Sequence, residues 1–329
     1  MSYEFLNGST ILVTGATGSF GQKCIQALLG CTEARRIIIF SRDELKQSQM
    51  VASLNDPAQR LRFFIGDVRD KDRLERALHG VDYVIHAAAL KQVPALEYNP
   101  FEAVKTNILG TQNIIDAAID QGVKKVVLLS SDKAANPSNL YGATKLCAEK
   151  LFVSGNSYGA GRTCFAAVRY GNVLGSRGSI LNIIEEQRAG GKITLTHKEM
   201  TRFWITLDQS VNLVLMALEK MRGGEIYVPK IPSMKVHDLI RVLAPECSIS
   251  VIGIRSGEKL HEVLITSDEA RHTCEFDGYY VILPENKQVV GESSGAEEGN
   301  PLPDNFCLTS QTNTGWLEEE QIKKLLELS

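Results

Sequence analysis

A glycine-rich turn near the start of the chain constrains the fold more than any other feature. The apolar, β-branched segment at 10–15 (TILVTG) predicts a buried strand, and residues 20–29 have helical spacing. Between them, the glycines at 15, 18 and 21 are spaced GxxGxxG. Without Cβ atoms the backbone can turn tightly and approach a phosphate, beside the unpaired N–H groups of a helix N-terminus. The order strand, turn, helix therefore predicts a dinucleotide site; a plain tight turn is the alternative.

Short apolar segments and amphipathic segments alternate through the rest of the N-terminal half. Strands are predicted at 36–40, 61–65, 81–86, 124–130 and 164–169. Helices are predicted at 71–79, 100–121 and 141–156. Continuous apolar strands that alternate with helices indicate a parallel sheet covered on both faces, with its ligand at the carboxyl ends of the strands.

Composition narrows the class of protein. The 329 residues are 43% hydrophobic and carry a net charge of −3, which gives no broad footprint for nucleic acid or an anionic membrane. No apolar run approaches the ~18 residues of a membrane span, and the first residues do not resemble a signal peptide. Seven scattered cysteines without a CxxC pair suggest reduced thiols in a cytoplasmic protein. The dispersed histidines suggest no metal site.

The side chains at the end of the second predicted strand distinguish between two nicotinamide cofactors, NAD and NADP. A protein that prefers NAD usually has an acidic side chain here, which bonds the ribose 2′-hydroxyl. This chain instead has Ser41 and Arg42 first. A hydroxyl and a guanidinium suit a 2′-phosphate, so the sequence favours NADP over NAD. The alternative is a surface Arg42 that pairs with Asp43 or Glu44.

A tyrosine and a lysine follow the fifth predicted strand. Tyr141 and Lys145 are four residues apart and share one helix face. An ammonium near a phenol lowers the phenol pKa, which would make Tyr141 a usable acid or base beside a nicotinamide. An isolated YxxxK more often lies on a solvated helix, so this prediction depends on the glycine turn and on the strand-end Ser130.

These motifs carry a resemblance to a known family. The TGxxGxxG turn, the alanines at 87–89, Asn107 and the YxxxK pair resemble the extended short-chain dehydrogenase/reductases that act on nucleotide sugars. Further stretches are similar to the inverting UDP-N-acetylglucosamine 4,6-dehydratases of the pseudaminic-acid pathway. They are SRDELKQ (41–47), GDVRDK (66–71), SDKAANPSNLYGATK (131–145), RYGNVLGSRGS (169–179), MTRFWIT (200–206), GGEIYVPKIPSMK (223–235) and IRSGEKLHE (254–262).

The resemblance implies a reaction and its catalytic residues. Tyr141, tuned by Lys145, would take the C4-hydroxyl proton while NADP⁺ takes a hydride from C4. Lys133, neutral and with a lowered pKa, would remove the C5 hydrogen, and Asp132 would protonate the departing C6-hydroxyl. The product would be UDP-2-acetamido-2,6-dideoxy-β-L-arabino-hex-4-ulose. Retaining dehydratases carry an Asp-Glu pair here, so the lysine favours the inverting class.

The resemblance also implies binding residues and an assembly. NADP would stay tightly bound and be regenerated in each turnover, and a homo-oligomer is expected. The predicted cofactor-binding residues are Gly15, Thr17, Gly18, Ser19, Phe20, Gly21, Ser41, Arg42, Asp43, Lys46, Asp67, Val68, Ala87, Ala88, Ala89, Lys91, Asn107, Ser130, Tyr141 and Lys145. The predicted substrate-binding residues are Lys91, Ser131, Tyr141, Asn172, Val173, Arg177, Thr194, Arg255 and Glu258.

The predicted fold class is α/β, a doubly wound parallel Rossmann sheet with a smaller α/β substrate-binding lid domain. Residues 1–171 would form the NADP-binding Rossmann domain. Residues 172–329 would form mainly the substrate-binding domain, interleaved with the last Rossmann elements. Within it, the polar stretch 286–300 is predicted to be a mobile loop.

Two other functions are compatible with the same fold. A UDP-sugar 4-epimerase uses the same Tyr/Lys pair and cofactor, but it needs no Asp-Lys acid–base pair. A non-catalytic nucleotide-sensing protein would often lack the Tyr/Lys pair.

Overall fold

A computed structural model describes residues 3–159, 161–285 and 299–327. The N-terminal half alternates strands and helices as the apolar pattern predicts. Its strands are β1 (Thr10–Thr14), β2 (Arg36–Ser41), β3 (Leu61–Ile65), β4 (Tyr83–His86), β5 (Lys125–Leu129) and β6 (Cys164–Val168). Its α-helices are α1 (Ser19–Cys31), α2 (Glu44–Ser53), α3 (Lys71–Leu78), α4 (Val93–Tyr98), α5 (Pro100–Ala103), α6 (Gly110–Asp120) and α7 (Leu140–Gly159). Short 3₁₀ turns lie at Glu4–Leu6 and Asp132–Ala134.

The helix predicted at 100–121 is helical throughout, but it is not one regular α-helix. A π-helical segment, Val104–Leu109, separates α5 from α6. It carries Thr106 and Asn107, which are both buried. Such wide turns are rare and often occur near functional sites, and the apolar spacing gave no signal for this one.

The second half is built from shorter elements. Its strands are β7 (Asn172–Val173), β8 (Lys192–Leu195), β9 (Thr201–Ile205), β10 (Ile226–Pro229), β11 (Ser233–Lys235), β12 (Ser248–Val251), β13 (Val263–Ile265), β14 (Thr273–Glu275), β15 (Tyr279–Ile282), β16 (Asn300–Pro301) and β17 (Leu308–Thr309). Its helices are α8 (Ile180–Arg188), α9 (Leu207–Lys220), α10 (Val236–Leu243), α11 (Ser267–Ala270) and α12 (Glu319–Glu327). Of the predicted loop 286–300, residues 286–298 lie outside the described residues, and Asn300 begins β16.

One large sheet organises the molecule. Its strand order is β16-β14-β15-β10-β6-β5-β4-β1-β2-β3 among the described residues. The strands from β3 to β10 are parallel, and β15, β14 and β16 add an antiparallel edge. The chain winds outward from β1 in both directions, so the sheet is doubly wound and the predicted fold class is confirmed. In such sheets the ligand crevice lies where the strand order reverses, here between β1 and β4.

Three groups of buried apolar side chains stabilise the described fold, and the smallest consists of Leu96, Ala103 and Tyr141. The largest group packs on both faces of the parallel strands, from Ile11 in β1 to Val228 in β10. The second group includes Leu174, Trp204 and Leu239 and joins α8, β8, β9 and α10. Among the described residues, no helix is both long and apolar enough to cross a bilayer.

Candidate active site

The carboxyl ends of the parallel strands open into a cleft of about 620 Å³. Most of the residues predicted from the sequence line this single cleft. They are Gly15, Thr17, Gly18, Ser19, Phe20, Gly21, Ser41, Arg42, Asp43, Lys46, Asp67, Val68, Ala87, Ala88, Ala89, Lys91, Ser130, Ser131, Lys133, Tyr141, Lys145, Asn172, Val173 and Arg177.

The glycine turn forms the floor of the cleft beside β4. Gly15 has φ +64°, and a Cβ at this position would lie 2.8 Å from the backbone nitrogen of Ala88. Gly18 precedes α1 and makes no side-chain cap, so no side chain of this residue occupies the first N–H groups of the helix. An uncapped helix N-terminus beside a close-approach turn suits an anionic group such as a pyrophosphate.

Orphaned polar atoms in the cleft also fit a dinucleotide. The hydroxyls of Ser130 and Thr106 are buried and lack a hydrogen-bond partner among the described residues. Both residues line the cleft. Because unsatisfied buried hydroxyls are costly, their position supports a polar ligand at this edge of the sheet.

At the end of β2, the Arg42 side chain is exposed and could contact a ligand. Asp43 pairs with Lys46 at 2.7 Å, and its carboxylate accepts the Lys46 backbone N–H at the start of α2. Arg42 does not join this pair; its nearest carboxylate is Asp67, 3.4 Å away. The Arg42 side chain is 51% exposed. The alternative pairing of Arg42 with Asp43 or Glu44 is therefore not formed.

The Tyr141 and Lys145 side chains project from α7 into the cleft. The pKa of Tyr141, however, differs from the prediction. Burial raises the pKa of Tyr141; the Lys133 charge and a Ser131 hydrogen bond oppose this rise only in part. The Lys145 amine donates to the Leu129 carbonyl at 2.6 Å. Burial lowers the pKa of Lys145 to about 8. The prediction that Lys145 lowers the Tyr141 pKa is wrong here, because burial dominates and the nearby opposing cation is Lys133.

Lys133 lies among three oxygen acceptors. Its Nζ is 3.0 Å from Asp132 Oδ1, 3.3 Å from Glu262 Oε1 and 3.5 Å from Asn172 Oδ1. Burial disfavours the ammonium, but the charges of Asp132 and Glu262 outweigh it and raise the pKa of Lys133. The prediction of a lowered Lys133 pKa is therefore wrong, because two carboxylates surround this amine.

Asp132 is fully buried behind the residues that flank it in the chain. Ser131 Oγ donates to its Oδ1 at 2.9 Å, while Oδ2 has no hydrogen-bond partner among the described residues. Burial raises the pKa of Asp132, and the negative charge of Glu262 raises it further. The positive charge of Lys133 opposes this rise. A buried carboxyl with a raised pKa and a free oxygen suits a proton donor.

An arm of the chain at 255–262 completes this centre through Glu262, a residue that was not predicted from the sequence as part of the site. Glu262 ends the arm and is 2% exposed. Its carboxylate lies 3.7 Å from Arg202 Nε and 3.6 Å from Lys259 Nζ, in addition to its contact with Lys133. Lys259 also donates to the Ala135 carbonyl at 2.6 Å, which ties the arm to the segment that holds Lys133. The motif IRSGEKLHE contains Glu262, but no local sequence pattern indicates that this acid contacts Lys133.

Five predicted residues lie outside the cleft lining, and one of them is the fully buried Asp132. Asn107 is buried behind the lining, where its side chain bonds the Leu90 backbone and the Thr144 hydroxyl, so it supports the wall instead of contacting a ligand there. Thr194 lies on β8, where its backbone N–H donates to Gln187. Arg255 and Glu258 lie on the arm, joined by a 3.3 Å contact from the Arg255 backbone N–H.

The described residues contain no cluster of histidine, cysteine, aspartate or glutamate able to hold a metal ion. All seven cysteine thiols are free.

The fold and the cleft define a Rossmann-type protein of the short-chain dehydrogenase/reductase class. Within it, residues 11–284 match the model of the polysaccharide biosynthesis protein family, and the chain belongs to that family. The resemblance found in the sequence is thereby confirmed.

Relatives of known name cover nearly the whole chain. A UDP-N-acetylglucosamine 4,6-dehydratase (inverting) of Campylobacter jejuni is 50% identical over 97% of this chain and 98% of its own. A UDP-glucose 4-epimerase of Rickettsia felis is 40% identical over 96% and 95% of the two chains.

Solved structures share the fold. Pen from Bacillus thuringiensis superposes with a TM-score of 0.90 at 37% identity, covering 98% of each chain. DesIV, a dTDP-glucose 4,6-dehydratase of Streptomyces venezuelae solved with NAD, matches 76% of this chain and 86% of its own with a TM-score of 0.68. At 24% identity, this second likeness supports the fold alone.

Proposed function

We propose that this protein is an enzyme, an inverting UDP-N-acetylglucosamine 4,6-dehydratase. The product would be UDP-2-acetamido-2,6-dideoxy-β-L-arabino-hex-4-ulose. The reaction would be the first step of a pseudaminic-acid-type pathway. The observation that carries the proposal is the Asp132–Lys133 pair, 3.0 Å apart: Lys133 lines the cleft with Tyr141, and Asp132 is fully buried beside it. The 50% identical Campylobacter relative, which bears this activity in its name, supports the same reaction.

The cleft floor would hold NADP. The turn at 15–21 and the α1 N-terminus would bind the pyrophosphate, and Arg42 with Ser41 would bind a 2′-phosphate through charge-assisted hydrogen bonds. When bound, this cofactor supplies the chemistry that accepts a hydride from C4 and returns it at C6. The exposed Arg42 side chain supports NADP over NAD, because no neighbouring carboxylate holds it closely.

Tyr141 would remove the proton of the C4-hydroxyl. Its pKa is raised by burial, so the proton transfer needs a nearby positive charge in the loaded site. Lys133 already acts in that direction on the phenol. Lys145, held 2.6 Å from the Leu129 carbonyl, would orient the ribose of the cofactor.

Lys133 and Asp132 would divide the elimination between them. Lys133 stays charged while Tyr141 takes the C4-hydroxyl proton; the proton of Lys133 then passes to Asp132, 3.0 Å away, which leaves the Lys133 amine neutral. Lys133 then removes the C5 hydrogen, which the new 4-ketone has acidified, and Asp132 protonates the departing C6-hydroxyl, which leaves as water; the pair thereby returns to its starting form. As the hydride returns to C6, C5 takes a proton on the opposite face, which inverts C5, and the proton that Tyr141 received from the C4-hydroxyl balances this addition. The raised Asp132 pKa and its unpartnered Oδ2 support the protonated form of this carboxyl.

The sugar nucleotide would lie along the opposite wall of the cleft. Lys91, Ser131, Asn172, Val173 and Arg177 line that wall and would contact the sugar and the diphosphate. We also propose the roles predicted for Thr194, Arg255 and Glu258 in binding the nucleotide. They lie outside the cleft lining, so contacts from Arg255 and Glu258 need the arm to approach the substrate, and a contact from Thr194 needs the nucleotide to extend to β8.

The proposal extends to organisation and location. Residues 1–171 would be the NADP-binding domain and residues 172–329 mainly the substrate-binding domain. The buried cluster around Trp204 supports a distinct second unit. A homo-oligomer in the cytoplasm is expected, and the free thiols support a reducing compartment.

Incubation with UDP-N-acetylglucosamine tests the function directly. We expect a product lighter by one water in the mass spectrum, and Asp132→Asn and Lys133→Met should abolish it. A product of unchanged mass would instead support the second candidate, a UDP-sugar 4-epimerase. The Rickettsia relative, named as such and 40% identical, is the observation that favours this alternative.

A further inference from the structure

Glu262 is a buried acid that the proposed reaction does not yet use. Its backbone N–H donates to Ser310 Oγ at 2.9 Å, and its carbonyl accepts the Ser310 N–H at 2.8 Å. Arg202 and Lys259 flank its carboxylate at 3.7 and 3.6 Å. The Glu262 backbone is therefore held by Ser310, and two cations flank the carboxylate.

A buried ion pair is weak evidence of a purely stabilising role. Removing charges from water costs several kcal/mol per ion, and apolar replacements often stabilise a protein as well or better. This cluster joins the cations Lys133, Arg202 and Lys259 to the carboxylates of Asp132 and Glu262. Such a costly arrangement at the edge of a reactive cleft points to a role in the reaction.

The geometry around Lys133 shows what that role is. A charged amine has three N–H groups, and Asp132, Glu262 and Asn172 offer one acceptor each. A neutral amine keeps only two N–H groups and gains a lone pair. Asn172 is the longest contact, at 3.5 Å, and it lines the cleft. Substrate can therefore replace Asn172, whereas Asp132 Oδ1 and Glu262 Oε1 are closer to the amine.

We propose that Glu262 is a positioning residue that, with Asp132, holds two N–H groups of Lys133 and so directs the lone pair of the neutral amine into the cleft. This inference rests on the proposed dehydratase function. Asp132 can still accept through Oδ1 while it carries a proton on the unpartnered Oδ2. Glu262 also links the arm at 255–262 to the acid–base pair. The position of the arm therefore affects the direction in which the lone pair of Lys133 points.

Two variants of Glu262 separate positioning from folding. Glu262→Asp keeps the negative charge against Arg202 and Lys259 but withdraws it from Lys133 by one methylene. Glu262→Gln keeps the length but loses the negative charge that attracts Lys133, and it places an amide NH₂ group against Lys259 where Glu262 has Oε2. Glu275→Asp and Glu275→Gln are matched controls, because within the described part of the chain the Glu275 carboxylate forms its ion pair with Lys230, at 2.8 Å and away from the cleft.

The measurement is the C5-deuterium isotope effect on kcat with UDP-N-acetylglucosamine as substrate. We expect each Glu262 variant to lower kcat about tenfold to hundredfold, with little change in KM and a larger isotope effect, because removal of the C5 hydrogen becomes slower. The Glu275 variants should match the wild type. If Glu262→Gln fails to fold, Glu262→Asp still decides the question.

The outcomes distinguish this inference from the proposed function. Wild-type protein that makes no 4-keto-6-deoxy product would contradict the function and the inference together. An active wild type with a Glu262→Asp variant of unchanged kcat and isotope effect would contradict the role of Glu262 alone. A lower kcat with an unchanged isotope effect and a lower melting temperature would do the same, since it indicates a structural defect.

Discussion

The floor of the cleft and its acid–base centre are assembled in different ways. The floor is built from the turn at 15–21 and the alanines at 87–89, whose strands β1 and β4 are direct neighbours. The acid–base centre instead joins Lys133 to Glu262 and Arg202, which come from distant parts of the chain. The floor depends on backbone geometry, because a Cβ at Gly15 would meet Ala88. The centre depends on charge balance in a buried space.

The difference teaches which changes each region tolerates. A backbone site fails when atoms are added, whereas a buried charge cluster fails when one member is removed and its partner is left uncompensated. The predictions below test that contrast, beginning with the largest effect.

Removal of the Lys133 amine should have the largest effect. Lys133→Met eliminates the proposed base and leaves Asp132 and Glu262 without their shared cation. We expect kcat for product formation to fall about 10²- to 10⁴-fold, the usual contribution of a general base. Steady-state kinetics measure this, with the exposed Lys150→Met on α7 as a control of wild-type rate. A Lys133→Met variant that kept more than half of the activity would remove Lys133 from the mechanism.

Addition of one methyl group to the floor should weaken cofactor binding. Gly15→Ala places a Cβ 2.8 Å from the Ala88 nitrogen at φ +64°. We expect NADP affinity to fall by a factor of about 10 to 100, since strain at such a position costs roughly 1–3 kcal/mol. Titration calorimetry measures it.

A second glycine gives the matched control for this change. Gly30 lies exposed near the end of α1, and a Cβ there meets nothing within 4 Å. Gly30→Ala should leave NADP affinity unchanged and stabilise the protein by about 0.5–1 kcal/mol. Equal affinities for Gly15→Ala and the wild type would refute a close approach at this turn.

The charge at the end of β2 should set the cofactor preference. Arg42→Ala removes the half-exposed guanidinium proposed to bind the 2′-phosphate. We expect the NADP dissociation constant to rise about tenfold or more, while that of NAD changes little. Arg36→Ala, at the opposite end of the same strand, should alter neither constant. Tighter binding of NAD than of NADP by the wild type would contradict the NADP assignment.

A buried histidine below the floor should give the smallest effect, visible only in acid. Burial, with a small contribution from Lys145, lowers the pKa of His86 to about 3 from 6.5. The unfolded chain therefore binds a proton below pH 6.5 that the folded chain does not. Stability should fall between pH 6.5 and pH 3, by at most about 1.4 kcal/mol per pH unit from this group. Denaturant unfolding gives the free energy of unfolding at each pH for the wild type and for His86→Gln. Between pH 6.5 and pH 3 this free energy should fall less steeply in the variant, and equal slopes would refute the prediction.

Much of the fold and of the cleft floor could be predicted from the sequence because the signals are local. The apolar strands, the glycine spacing and the strand-end residues each depend on neighbours within a few positions. They define the doubly wound sheet and most of the cleft lining. The π-helical segment at Val104–Leu109 was not predicted, because its residues have ordinary helical spacing.

The charge states of the acid–base centre could not be predicted in the same way. Sequence spacing suggested that Lys145 would lower the Tyr141 pKa, but burial raises it. It also suggested a lowered pKa for Lys133, yet Glu262 and Asp132 raise it. Burial and contacts across more than a hundred residues determine these properties, and no local motif encodes them.

The central claim is that this chain removes water from UDP-N-acetylglucosamine and inverts C5. Proton NMR of the product formed by the wild-type protein tests it most directly. The account predicts a 4-keto-6-deoxy sugar nucleotide with the β-L-arabino configuration at C5. A 4-keto-6-deoxy product with C5 retained, or a C4 epimer that keeps its C6-hydroxyl, would contradict the account.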